Sequence, residues 1–266
     1  MSVLRNRFKA RLREHERQIG LWQALANPYT TEICAGAGFD WLLFDGEHAP
    51  MTIPSLLAQL QAVAPYPVDP VARIPVADAT IIKQYLDIGF QTLLVPFVNS
   101  AEQARQIVSA TRYAPEGIRG IGVGLSRAAR WNRVPGYLDH GGEEICVLVQ
   151  IETREGLDAL DEIAAVDGVD GIFIGPADLS AAMGYRGQPD HPAMIATISE
   201  AIARVLASGK PVGTLATDPA RLARAEAAGC SFIAAGTDVS ILSGGCEQLA
   251  RSVGLAPAAI PTNSDY

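Results

Sequence analysis

With 266 residues and 48% hydrophobic side chains, the chain is long enough for one large core, and single α/β barrels commonly reach this size. Its formal charge of −8 carries no lysine–arginine cluster on any one segment, which argues against nucleic acid or an anionic membrane as the main partner. No apolar run approaches the ~20 residues of a membrane span, and the arginine- and glutamate-rich start lacks the apolar core of a secretory signal, so a cytoplasmic location is expected.

A charged helical arm over residues 3–17 leads into a first strand at 19–22. Asn27 and Pro28 open a helix that ends at Gly36-Ala37-Gly38, Asn27 as its cap and Pro28 at the first helical position. A second strand at 41–44 runs straight into Asp45-Gly46-Glu47-His48-Ala49-Pro50, and a helix over 53–63 follows. The third unit pairs a strand at 70–74 with a helix over 79–88 closed by Gly89, and the fourth a strand at 92–98 with a helix over 101–113. A long connection, 114–142, is rich in glycine and arginine. Its glycines do not fit a phosphate-binding GxGxxG, so it reads as a functional loop folded over a barrel mouth or against a neighbouring subunit. The fifth strand, 147–153, a helix over 156–168 and the sixth strand, 171–178, come next. Helices over 192–207, 219–229 and 240–252 and strands at 211–216 and 232–236 complete eight strand–helix units. That rhythm predicts a closed α/β barrel of the (β/α)8 TIM type, a single domain over 1–256, with 257–266 as a disordered tail.

Two strands break their apolar pattern with an acid: Val147-Leu148-Val149-Gln150-Ile151-Glu152 and Gly171-Ile172-Phe173-Ile174-Gly175-Pro176-Ala177-Asp178. A right-handed crossover makes these strands parallel, so their C-terminal ends emerge on one side, where such barrels keep their chemistry. The polar residues that end strands are few: Asp45, Glu47 and His48, then Arg73, Gln150, Glu152 and Asp178. Paired carboxylates with oxygen donors nearby suit a hard divalent cation such as Mg²⁺ or Mn²⁺. Gln150 shares a strand face with Glu152 and would hydrogen-bond a ligand there. His48 follows Asp45 in a glycine-containing turn, and an aspartate on one ring nitrogen would raise the basicity of the other. Glu47 reads as structural or as a partner to an arginine. Arg73 would hold a carboxylate or steady a developing oxyanion.

Absences narrow the chemistry. Lys9, Lys83 and Lys210 are the only lysines, and none ends a strand, so no Schiff-base lysine is expected and carbonyl chemistry would need a metal as its electron sink. Cys34, Cys146, Cys230 and Cys246 are widely spaced without a CxxC and read as buried, unpaired thiols in a reducing compartment.

Together, Phe44-Asp45-Gly46-Glu47-His48-Ala49-Pro50, Ala114-Pro115-Glu116-Gly117-Ile118-Arg119-Gly120, Val149-Gln150-Ile151-Glu152-Thr153 and Gly175-Pro176-Ala177-Asp178-Leu179-Ser180 resemble the HpcH/HpaI family of pyruvate aldolases, over 19–249. The resemblance implies a barrel of the phosphoenolpyruvate/pyruvate type and a divalent cation (Mg²⁺, Mn²⁺ or Co²⁺) on Glu152 and Asp178. It also implies pyruvate lined by Gln150 and the backbone near Ala177 and Asp178, Arg73 facing the enolate, and an Asp45–His48 base. Leu215 would also contact the substrate, and Asp87 would reach a neighbouring subunit's aldehyde pocket. The implied assembly is a homohexamer, a trimer of dimers, with the last helix exchanged between subunits.

The expected reaction is metal-dependent, reversible cleavage of 4-hydroxy-2-oxo acids, such as 4-hydroxy-2-oxoheptanedioate, to pyruvate and an aldehyde. Alternatives are a related lyase acting on a 2-dehydro-3-deoxy-aldarate or a CoA thioester, and a non-catalytic metal-binding scaffold. Departures from the family pattern around Ile74 to Asp78 and at Thr214, Ala216 and Thr217 leave the aldehyde partner open.

Overall fold

The computed structural model describes residues 5–256. Eight strands, β1 (Gln18–Gln23), β2 (Trp41–Asp45), β3 (Asp69–Arg73), β4 (Thr92–Val95), β5 (Cys146–Ile151), β6 (Gly171–Ile174), β7 (Val212–Leu215) and β8 (Phe232–Thr237), close in sequence order into a barrel. Every neighbouring pair is parallel, including β8 with β1. The expected (β/α)8 fold is therefore present, and the strand ends share one mouth.

Each strand sorts its side chains between two cores. On β2, Leu42 and Phe44 join the layer between sheet and helices, while Trp41 and Leu43 join the barrel interior. The period of two along a strand produces this division, because successive side chains point to opposite faces. Polar caps set the helix starts. Asn27 accepts from the Tyr29 N–H, Thr52 forms a capping box with Ser55, and Asp78 and Asp218 each accept from two first-turn amides. The helix Ala79–Ile88 ends on Gly89 at φ +113°, a left-handed stop that only glycine adopts cheaply.

The N-terminal arm closes the floor of the barrel. Its helix, Arg7–Arg13, is shorter than the expected 3–17, and the residues before 5 lie outside those described. Phe8 and Leu12 pack into the barrel interior, Phe8 edge-on against both Trp41 and Phe232 with ring centroids 5.9 Å apart. Lys9 is buried in the same seal, with its ammonium 3.3 Å from Asp170.

Several expectations change. The long connection does not fold over the mouth. It begins after a helix that runs down to the barrel floor, and it packs against the lower end of helix Ala79–Ile88. There Arg127 Nη1 donates to the Ile88 carbonyl at 3.0 Å, and Arg119 pairs with Asp87 at 2.7 Å. The single helix expected over 156–168 is two short ones, Arg154–Asp158 and Leu160–Ala164, separated at Ala159. Strand β6 stops at Ile174, because Gly175-Pro176 starts a further helix, Pro176–Ala182, with proline at its first position. Asp178 therefore sits in a helix's first turn. The four cysteines are unpaired as expected, but Cys246 is exposed. The tail expectation for 257–266 falls outside the described residues. No helix among the described residues is long and apolar enough to cross a membrane.

Candidate active site

Asp45, the last residue of β2, is buried and anchors the site. Arg73, the last residue of β3 and its register partner, donates Nε to Asp45 Oδ1 at 2.9 Å and Nη2 to Oδ2 at 2.6 Å. The Trp22 indole N–H adds a bond to Oδ2 at 3.0 Å, and the backbone amides of Glu47 and His48 reach Oδ1 at 3.0 and 3.2 Å. Burial alone would raise this carboxyl. The Arg73 bond and charge, with Trp22 and the Glu47 amide, outweigh it and hold Asp45 below the usual carboxylate range.

The expected Asp45–imidazole pair does not form. Asp45 holds the backbone of His48, not its ring, because both carboxylate oxygens face Arg73 and the turn. The His48 ring stands exposed at the mouth. The turn is tight: a Cβ on Gly46 would lie 2.1 Å from the Tyr85 hydroxyl and 2.8 Å from the Arg73 carbonyl, so only glycine fits.

Arg73 is held on three sides. Besides Asp45, its Nη1 lies 2.9 Å from Glu47 Oε2, and its guanidinium carbon lies 4.8 Å from the Trp22 ring centre. Glu47 is thus the arginine's partner, as expected. Two of the five guanidinium N–H groups are hydrogen-bonded, both to Asp45, and the contact with Glu47 is an ion pair.

Glu152 follows β5 and is 1% exposed. Its Oε1 accepts from the Phe97 amide at 2.9 Å, and its Oε2 accepts from the Gln150 side-chain amide. Burial pushes this carboxyl up to about 7; the Phe97 N–H opposes that, the charges of Glu47 and Asp178 add to it, and Arg73 offsets part of it. Glu47 is raised in turn by burial and by Asp45 and Asp178, against the charges of Arg73 and His48. Glu47, Glu152 and Asp178 therefore feel one another at the mouth. Gly175 forms the opposite wall, where a Cβ would sit 2.7 Å from Glu152 Oε2 and 2.8 Å from Gln150 Nε2. Gln150 Oε1 is buried without a hydrogen-bond partner.

These features fit a divalent cation. Burial and the charges of Glu47 and Asp178 raise Glu152 despite Arg73, so a further positive charge would stabilise its carboxylate, and Gly175 puts no side chain beside it. Among the described residues no group of three or more His, Cys, Asp or Glu side chains could hold a metal. Glu152 and Asp178 would supply two oxygens, and water or substrate the rest. The helix Pro176–Ala182, whose first turn holds Ala177 and Asp178, has no side-chain cap on its first amides. Leu215, at the end of β7, is half-buried against the interior cluster.

Asp87 does not join this group within one chain. It lies near the lower end of helix Ala79–Ile88, at the floor, with its carboxylate on Arg119. Nor do the lysines reach the mouth: Lys9 and Lys210 bond Ile145 and Val169 carbonyls before strands begin, and Lys83 lies beside Gly120. Trp22 and Phe97 were not singled out in the sequence. Each reads there as one more apolar strand residue, although their N–H groups hold the two central carboxylates.

A parallel barrel with buried acids and an arginine at its strand ends belongs to the TIM-barrel class of enzymes. The model of the HpcH/HpaI aldolase/citrate lyase family matches residues 18–243, and the chain belongs to that family. It is 56% identical over 267 residues to a hydroxypyruvate/pyruvate aldolase of Pseudomonas aeruginosa, covering 100% of both chains. It is also 53% identical over 251 residues to a 4-hydroxy-2-oxo-heptane-1,7-dioate aldolase of Salmonella arizonae, covering 94% of this chain and 95% of the other. Among solved structures, an HpcH/HpaI aldolase/citrate lyase family protein from Burkholderia cenocepacia superposes with a TM-score of 0.90 at 36% identity, over 93% of this chain and 99% of that one. The protein is thus a lyase of the aldolase type.

Proposed function

We propose that this protein is a divalent-metal-dependent aldolase that cleaves and forms 4-hydroxy-2-oxo acids, with pyruvate as the nucleophilic half. The observation that carries this reading is the arginine fixed between Asp45 and Glu47 at the mouth it shares with buried Glu152, whose charge interactions extend to Arg73 and Asp178. Aldol chemistry needs positive charge where the 2-oxo oxygen becomes an enolate, and Arg73 would bring it, with N–H groups beyond the two bonded to Asp45.

When bound by Glu152 and Asp178, a Mg²⁺ or Mn²⁺ ion would polarise the 2-oxo carbonyl. The chain's own residues supply the remainder. Gln150, with a free Oε1, and the amides at Ala177 and Asp178 orient the 2-oxo acid. In the cleavage direction the exposed His48 ring accepts the proton of the 4-hydroxyl. The C3–C4 bond breaks, its electron pair moves to C3 and the 2-oxo oxygen, and the aldehyde departs; protonation at C3 then yields pyruvate. Leu215 borders the aldehyde side.

The names of the relatives support both halves, and they favour a second nucleophile, hydroxypyruvate, for the same site. The assembly belongs to this proposal too. Helix Asp238–Ser252 buries only Asp238 and exposes Ile241, Leu242 and Leu249, which suits exchange with a second copy of the chain in a hexamer. Asp87 would then reach a neighbour's aldehyde pocket.

The test is proton exchange at the pyruvate methyl group in D₂O, followed by NMR. Exchange that requires Mn²⁺ or Mg²⁺, stops with EDTA and is lost in Glu152→Ala supports the reading. Metal-independent exchange, or a pyruvate adduct trapped on a lysine by borohydride, would overturn it. Product analysis with hydroxypyruvate and a panel of aldehydes assigns the physiological pair.

A further inference from the structure

Phe97 carries a backbone conformation that its side chain does not favour. It follows β4 at the mouth with φ +52°, in the left-handed region that costs an L-residue with a bulky side chain, and the residue is 41% exposed. What the conformation delivers is the backbone N–H, aimed at Glu152 Oε1 at 2.9 Å. The next residue, Val98, donates its own amide to the Gln150 carbonyl at 3.2 Å, so this short segment is laid across the end of β5. Pro96, immediately before, stiffens the approach. The other oxygen of Glu152 is held by Gln150, with Gly175 as the wall behind. Strain of this kind persists where the surroundings hold it, and it gathers at functional sites.

We propose that Phe97 is a positioning residue, whose left-handed backbone aims its amide at Glu152 and fixes that carboxylate in the orientation that receives the divalent cation. This rests on the cation reading above, yet its amide contact stands independently of any metal. It predicts that the backbone tolerance of residue 97, and not the size or apolarity of its side chain, sets metal affinity. Glycine and asparagine enter the left-handed region readily and β-branched residues resist it.

The experiment titrates Mn²⁺ into the full-length protein, with electron paramagnetic resonance of the free ion as readout, for wild type, Phe97→Asn, Phe97→Gly and Phe97→Val. Phe97→Asn and Phe97→Gly should keep wild-type affinity, whereas Phe97→Val should bind Mn²⁺ about tenfold or more weakly, the range for loss of a group that orients a metal ligand. In the metal-free proteins, hydrogen exchange of the residue-97 amide should stay slow in Phe97→Asn. It should become fast in Phe97→Val and in Glu152→Ala. Wild-type Mn²⁺ affinity in Phe97→Val, or loss of affinity in Phe97→Gly and Phe97→Asn alone, would overturn the proposal. Failure of wild type to bind Mn²⁺ would sink the cation reading and with it the metal half of this proposal. Unprotected exchange at residue 97 in wild type would sink the amide contact separately.

Discussion

At the scale of single residues, Arg73 and Asp45 are tied so closely that removing one exposes the other. Arg73→Ala would leave a buried carboxylate without its partner, a loss of about 3–5 kcal/mol, so an inactive variant would say little about catalysis. Arg73→Lys separates the effects. It keeps a positive charge but cannot span both oxygens of Asp45. Turnover should fall by roughly a hundredfold or more while the protein stays folded, with kcat and the thermal midpoint measured on one preparation. Glu152 gives a second prediction, through pH. Its carboxyl, ordinarily at 4.5, is pushed up to about 7 by burial, so the metal-free fold binds its proton more tightly than the unfolded chain does. The stabilisation from that proton is full below about 4.5 and disappears as pH rises through about 7, a span on the order of 3 kcal/mol. Denaturation of the metal-free protein across this window should show the decline, and Glu152→Gln should flatten it. Asp45, Arg73, Gln150, Glu152 and Asp178 were legible in the sequence because a polar side chain ending an apolar run is conspicuous. Trp22 and Phe97 act through an N–H, which residue type does not announce.

At the scale of elements, the alternation of strand and helix revealed the barrel, since helical spacing, caps and strand period agreed in nearly every unit. The helix ranges 53–63, 79–88 and 192–207 match the structure residue for residue. The boundaries that shifted have local causes. The expected sixth strand runs through Gly175-Pro176 to Asp178, whereas proline is well suited to a helix's first position, so Asp178 moves onto a helix. The long connection could not be placed from sequence, because its end of the barrel depends on the helix before it. The N-terminal helix offers a test of packing at this scale. Phe8→Ala would empty the space between Trp41 and Phe232 and should cost about 3–5 kcal/mol by chemical denaturation, although the residue lies at the end of the barrel away from the site.

At the scale of the molecule, helix Asp238–Ser252 is the element least accounted for by one chain. Ile241, Leu242 and Leu249 are each more than half exposed, at 57%, 52% and 66%. Ending the chain after residue 237 should therefore reduce the mass in solution more than the deleted segment weighs, as light scattering would show. An unchanged number of subunits would remove this helix from the interface.

The stopper formed by Phe8 and Leu12 has a further consequence for traffic. A barrel packed solid from Phe8 and Leu12 up through Trp41, Phe173 and Phe232 leaves the mouth as its one doorway, and both fragments of a cleaved molecule must use it. Whichever fragment lies nearer the rim departs first, and the deeper one waits behind it. Product-inhibition patterns should therefore be those of an ordered exit, with the aldehyde leaving ahead of the 2-oxo acid.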